Sequence, residues 1–179
     1  MKSNPRTIRG RWALLLAAGA LAASGLAGCA EPAGYSNRSL YPSDIRSVCL
    51  EMFDNRSFRR GVEYTLSDAL AKRIETMTPY KIVSSRDRAD SVISGQLISI
   101  YESSLTVERE LARPLEKEVV LTATVNWKNL NTGQLMINSR TVTATASYSD
   151  FQNQDFTYAS ALAANKLAQK IVELMETNW

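Results

Sequence analysis

The chain has 179 residues, with 21 Lys+Arg against 18 Asp+Glu, two cysteines and no histidine, for a formal net charge of +3. Lys2, Arg6, Arg9 and Arg11 precede residue 12, so the remainder holds 17 basic against 18 acidic groups and offers no electrostatic case for nucleic acid. The lack of histidine excludes Ser-His-Asp and Cys-His catalysis and removes the commonest metal ligand.

Those four charges are followed by an uncharged apolar run from Trp12 to Leu21, too short to span a bilayer. Small residues then lead to Leu26-Ala27-Gly28-Cys29, the order expected of an export signal. Arg9 and Arg11 are separated by Gly10, so no twin-arginine pair argues against the general secretory route. The tetrapeptide resembles the lipobox of bacterial lipoproteins. That resemblance implies acylation of the Cys29 thiol, cleavage after Gly28 and acylation of the new amine. Ala30 stands where an aspartate would imply retention in the inner membrane, and it is compatible with transfer to the outer membrane. Several acyl chains make a durable anchor. The expected organisation is a signal peptide over 1–28, a lipidated N-terminus and tether over 29–43, and one domain over 44–179. That domain is long enough to bury a real core. With Cys29 lipidated no internal disulfide can form, and Cys49, inside an apolar stretch, reads as a buried structural thiol.

Residues 30–43 carry Pro32, Gly34 and Pro42 among polar groups and read as the tether. Ile45, Val48, Leu50, Met52 and Phe53 predict an apolar strand, stopped by the turn formers Asp54-Asn55-Arg56-Ser57. Val62, Leu66, Leu70, Ile74 and Met77 fall at helical spacing across 61–78, and Pro79 ends that helix. A short strand around Ile82 and Val83 leads into a charged turn over 85–91, read as a solvated loop with local ion pairs. Residues 92–101 form a strand that is apolar on parts of both faces. The chain then passes Glu102, Ser103 and Ser104 towards Leu111-Ala112-Arg113-Pro114, where pairing stops.

From Glu118 the alternation is clean, with Val119, Leu121, Ala123, Val125 and Trp127 facing one way and Thr122, Thr124 and Asn126 the other. Asn129 to Gly133 supplies a hairpin turn, and Val142, Ala144, Ala146 and Tyr148 line the return strand. Tyr158, Ala161, Leu162, Ala164, Ala168, Ile171, Val172 and Met175 predict one side of a final helix, capped by Asp155 or Thr157, with Lys166 and Lys170 on its outer face. The order is strand, helix, short strand, three-strand meander, helix. Its economical architecture is an α/β two-layer sandwich, two helices packed on one face of a mixed, largely antiparallel sheet. The threonine-rich face is left for water or a partner.

No paired-cysteine motif, phosphate-binding glycine loop or metalloprotease motif is present. No catalytic residue, metal site or cofactor is therefore assigned, the covalent lipid on Cys29 apart. Glu102, Glu108, Glu110, Glu116 and Glu118, interspersed with Arg109, Arg113 and Lys117, read as a charged exposed ribbon. Arg109, Arg113 and Lys117 occupy the longest hairpin connection and are the candidates for meeting phosphate groups or a barrel wall.

The lipobox closely followed by Gly34-Tyr35, the run from Val48 to Ser57, the amphipathic helix, the run from Ala89 to Leu97 and the alanine-rich final helix together resemble the LptE family. The resemblance covers nearly all of 29–179. It implies a non-enzymatic lipoprotein on the periplasmic side of the outer membrane, sitting inside the β-barrel LptD as a plug and helping lipopolysaccharide reach the outer leaflet. Basic residues near a loop or hairpin end are implied to meet the glycolipid. Two other classes stay open: a different envelope lipoprotein, regulating peptidoglycan synthesis or serving secretion like the curli-export family, and an anchored enzyme.

Overall fold

The structure is a computed structural model, and it describes residues 39–108 and 114–176. The core elements are β1 (Ser47–Leu50), β2 (Asp54–Asn55), α1 (Val62–Met77), β3 (Lys81–Val83), β4 (Ser91–Val107), β5 (Pro114–Asn129), β6 (Leu135–Tyr148) and α2 (Phe156–Glu173). The strands form one mixed sheet in the order β3-β1-β4-β5-β6, with β2 added to β4. β1 runs parallel to both neighbours, whereas β4, β5 and β6 form the antiparallel meander. The expected α/β sandwich is therefore the one found, with both helices contributing to the core cluster that covers the sheet.

In α1 the stripe Val62, Leu66, Leu70 and Ile74 is buried, as its spacing requires, while Met77 in the last turn is exposed. Gly61 precedes the helix at φ +100°, a conformation only glycine adopts freely. Its N–H donates to the Glu63 carboxylate at 2.9 Å, which also accepts from Asn55 Nδ2 at 2.6 Å. The Thr78 N–H and Oγ1 close the other end on the Ile74 carbonyl at 3.0 and 2.6 Å.

In α2 the buried face is Ala159, Ser160, Ala163, Ala164, Leu167, Ala168, Ile171 and Val172. That face is rotated from the expected one, since Tyr158 and Leu162 point outwards. Alanine tolerates either environment, so an alanine-rich helix leaves its own orientation underdetermined in sequence. Asp155 is the cap, accepting from the Tyr158 N–H at 2.8 Å.

Several strand boundaries also differ from expectation. β1 stops at Leu50, the Glu51 N–H bonds to the Ile93 carbonyl, and Met52 is exposed while Phe53 is buried. Asp54-Asn55, expected to end pairing, is itself β2 and pairs parallel with Gln96 and Leu97. The Phe53 ring lies over β4 at Gly95, where a Cβ would run into that ring and the Thr124 carbonyl. β4 and β5 are also much longer than their patterns, pairing as far as Val107 and Pro114.

Val119, Leu121, Ala123, Val125 and Trp127 face the helices and are all buried. Each large side chain so placed contributes about 1.5–3 kcal/mol. On the opposite face Cys49 is a buried free thiol in a small cluster with Ala89 and Val92, as its apolar setting predicts.

Candidate functional site

The sheet has two unlike ends. At one, β6 reaches only to Tyr148 opposite Lys117, so beyond Ser104 the last residues of β4 and the first residues of β5 form a two-stranded ribbon. Residues 99–107 of β4 extend about 30 Å at the ordinary strand rise.

At the base of this ribbon, five segments meet in one polar cluster. Glu102 accepts from the Tyr148 hydroxyl at 2.7 Å and from Arg59 Nη2 at 3.0 Å. Lys117 Nζ lies 3.2 Å from Asp150 Oδ2 and 3.9 Å from Glu102 Oε1. The Arg59 guanidinium also stacks 3.8 Å over the Phe156 ring, and Lys117 sits 5.5 Å from the Tyr148 ring centroid. Burial, then the hydrogen bond and charge of Glu102, push the Tyr148 hydroxyl up to about 12, so it remains a donor at neutral pH. Two cations and two anions cancel here, and each exposed pair contributes only about 0–1 kcal/mol. The cluster fixes the ribbon's angle to the helices without leaving a free charge for a ligand.

Beside the cluster a groove of 400 Å³ is lined by Arg56, Phe58, Arg59, Ile98 and Ile100. Phe58 is wholly exposed, and Tyr101, Leu105 and Val107 are each about half exposed along the ribbon. Contiguous apolar groups left in water mark a contact surface. A second cleft, of 430 Å³, separates the ribbon residues Thr106, Leu115 and Glu116 from Phe151, Gln152 and Gln154.

The other end of the sheet is fastened. Asp90 Oδ2 accepts from the Arg46 N–H, the Ser47 N–H and the Ser47 hydroxyl at 3.0, 3.0 and 2.9 Å, while Oδ1 accepts from Asn131 Nδ2 at 3.2 Å. The Leu130 N–H donates to the Asp90 carbonyl at 2.8 Å. Hydrogen bonding led by the Arg46 amide holds the Asp90 carboxyl below the usual range. Asn129 Oδ1 takes the Asn131 and Thr132 amides, and its Nδ2 donates to Asp44 at 3.0 Å. Trp127 Nε1 donates to Ser91 Oγ at 3.0 Å, and the Tyr80 ring packs between Tyr41 and Trp127.

Of the residues expected to carry function, Cys29, Arg109 and Arg113 lie outside the described residues. Lys117 is not in the hairpin connection: it belongs to β5, opposite Ser104 and Tyr148, because pairing continues to Pro114. Its ammonium is engaged by Asp150 and Glu102. Sequence reasoning missed Arg59, whose partner Glu102 is 43 positions away and leaves no local pattern. It also read Asp90 as part of a solvated loop, although Ala89-Asp90-Ser91 stands in one of the runs that carry the family resemblance. Among the described residues no group of three His, Cys, Asp or Glu side chains is placed to hold a metal, and no helix is long and apolar enough to cross a membrane.

Several solved structures share the fold at low sequence identity. Lipoprotein B from Nitrosomonas europaea superposes with a TM-score of 0.53 at 15% identity, covering 79% of this chain and 88% of its own. PelC from Paraburkholderia phytofirmans, a dodecamer, gives 0.52 at 13% identity over 76% of this chain and 93% of its own. CT253 from Chlamydia trachomatis gives 0.52 at 10% identity, covering 72% and 94%. No curated protein sequence is significantly similar. The family described as LptE, lipopolysaccharide-assembly, matches residues 45–177, from before β1 to beyond the end of α2. A match of that extent takes in both the fastened end and the ribbon, and the chain belongs to the LptE family.

Proposed function

We propose that this protein is an outer-membrane lipoprotein that seats in a β-barrel of the LptD type as a plug and assists lipopolysaccharide transport to the outer leaflet. The family match across 45–177 carries the reading. In it, residues 1–28 are removed on export, Cys29 bears the lipid on the periplasmic side, and 29–43 tether the domain. The protein acts by contact rather than catalysis and needs no cofactor besides its lipid.

The geometry supports this division of labour. A plug needs a rigid body and an exposed contact region, and the fastened sheet end and the ribbon supply one each. Arg109 and Arg113 fall in sequence between the described ends of β4 and β5, and Lys117 of β5 is paired with Asp150 and Glu102. Guanidinium groups there suit the phosphates of an anionic glycolipid.

The test is a mild-detergent pull-down of the lipidated protein from its native envelope, with mass spectrometry of what accompanies it. Recovery of an LptD-type barrel is expected. Recovery of a peptidoglycan synthase or a secretion ring instead would overturn the reading. Replacing Arg109, Arg113 and Lys117 together by alanine is expected to weaken barrel or glycolipid binding while leaving thermal unfolding in place; unchanged binding removes their assigned role.

A further inference from the structure

A sheet edge exposes a row of backbone donors and acceptors, and folded proteins cover or blunt such rows. The edges here are treated differently. β3, at one side, has only three residues. At the other side the edge of β6 is blocked by α2, whose Lys166 and Lys170 ammonium groups donate to the Thr145 and Thr143 carbonyls at 3.0 and 2.7 Å. β6 is further interrupted near Ser139, which has φ +46° beside a register shift.

The edge of β4 opposite β5 is filled in sequence and then left open. β1 pairs with Ser91 to Ile93, β2 pairs with Gln96 and Leu97, and the Arg56 N–H donates to the Leu97 carbonyl at 3.0 Å. There the loop towards α1 departs. Residues 99–104 then pair only with β5 among the described residues, in unbroken register between two irregularities. Alternate N–H and C=O groups of that stretch face away from β5. No lysine or proline guards it, and its one charge, Glu102, is engaged by Arg59 and Tyr148. Ile98, Tyr101 and the wholly exposed Phe58 lie alongside. Arg56 is exposed at its near end and forms no ion pair among the described residues.

From this contrast we infer that residues 99–104 of β4 accept an extended strand of a partner protein, continuing the column begun by β1 and β2. The incoming segment carries apolar side chains at alternate positions and an acidic group near Arg56. Backbone pairing supplies the affinity, and the Ile98–Phe58 groove reads the alternate side chains. The inference rests on the proposed function, in which the partner is the barrel protein.

The test is amide hydrogen exchange on the full lipidated chain, alone and in the complex recovered from the native envelope. Alternate amides of residues 99–104 are expected to exchange at least about 100-fold more slowly in the complex. Tyr101→Lys with Ser103→Lys is expected to reduce barrel recovery by about tenfold, while Thr141→Lys on the blocked edge leaves it unchanged. Retention of the barrel with residues 99–104 exchanging as in the free protein overturns this inference alone. Failure of the wild-type chain to recover any barrel overturns the proposed function and this inference with it. Protection of the same amides in the isolated protein at raised concentration assigns the edge to a second copy and also overturns it.

Discussion

β4 and β5 run from the fastened end of the sheet to the ribbon, and what surrounds them changes along the way. Near Ile93 and Trp127, the two strands lie under a closed core, with Trp127 donating to Ser91 and Asp90 tying three segments together. Near Tyr101 and Leu105, β4 stands half exposed and is held by ion pairs, although Val119 and Val120 of β5 opposite it are still buried. One hairpin thus serves as core at one end and presents an exposed surface at the other. The half-exposed residues of the second bury less apolar surface and contribute less to folding, so they are free to be shaped by recognition.

The fastened end is most vulnerable at Trp127. Trp127→Ala empties a fully buried site beside Tyr80 and is expected to lower unfolding free energy by about 3–5 kcal/mol in denaturant titration. Gly95→Val places a branched side chain against the Phe53 ring and the Thr124 carbonyl, for an expected loss of about 1–3 kcal/mol. Combining it with Phe53→Ala should recover part of that loss, and strict additivity would contradict the contact. Asp90→Ala leaves the Arg46 and Ser47 amides without their acceptor and is expected to cost about 1–3 kcal/mol, with a lower thermal midpoint.

Acid sharpens the same contrast. The Asp90 carboxyl is lowered by hydrogen bonds led by the Arg46 amide. Burial pushes Glu63 up, but hydrogen bonds from its own amide, Asn55 and Gly61, with the Arg60 charge, bring it below its usual value. A carboxyl lowered on folding stabilises the protein above its unfolded pKa, and that contribution is lost as pH falls through the lower folded value. Stability is therefore expected to hold from neutrality to about pH 4 and to decline below it. Asp90→Ala should flatten the decline in acid-unfolding curves. At the ribbon, Arg59→Ala or Lys117→Ala is expected to shift stability by less than about 1 kcal/mol, since both pairs are exposed.

What could be read in sequence divides along the same line. The α1 stripe and the alternation from Val119 to Trp127 were legible because one face of each is wholly buried. The ribbon was not, because beyond Ser104 only two strands pair and Leu105, Thr106 and Val107 are all exposed, which imposes no alternation. Its long pairing placed Lys117 inside β5 instead of a connection. Met52 prolonged an apolar run beyond the end of β1, since composition does not register where backbone pairing ceases. Arg59 and Asp90 were hidden for a different reason: each acts through a partner more than 40 positions away, and charge in a loop has the same local appearance whether solvated or engaged.

The measurement that bears most directly on this division takes Asp90→Ala and the pair Tyr101→Lys with Ser103→Lys through two assays on the same preparations, thermal unfolding and recovery of the barrel from the envelope. A lowered midpoint with retained recovery is expected for the first, and an unchanged midpoint with lost recovery for the second. A ribbon variant that unfolds early, or one that keeps its barrel, would contradict the assignment of stability and recognition to opposite ends of β4 and β5.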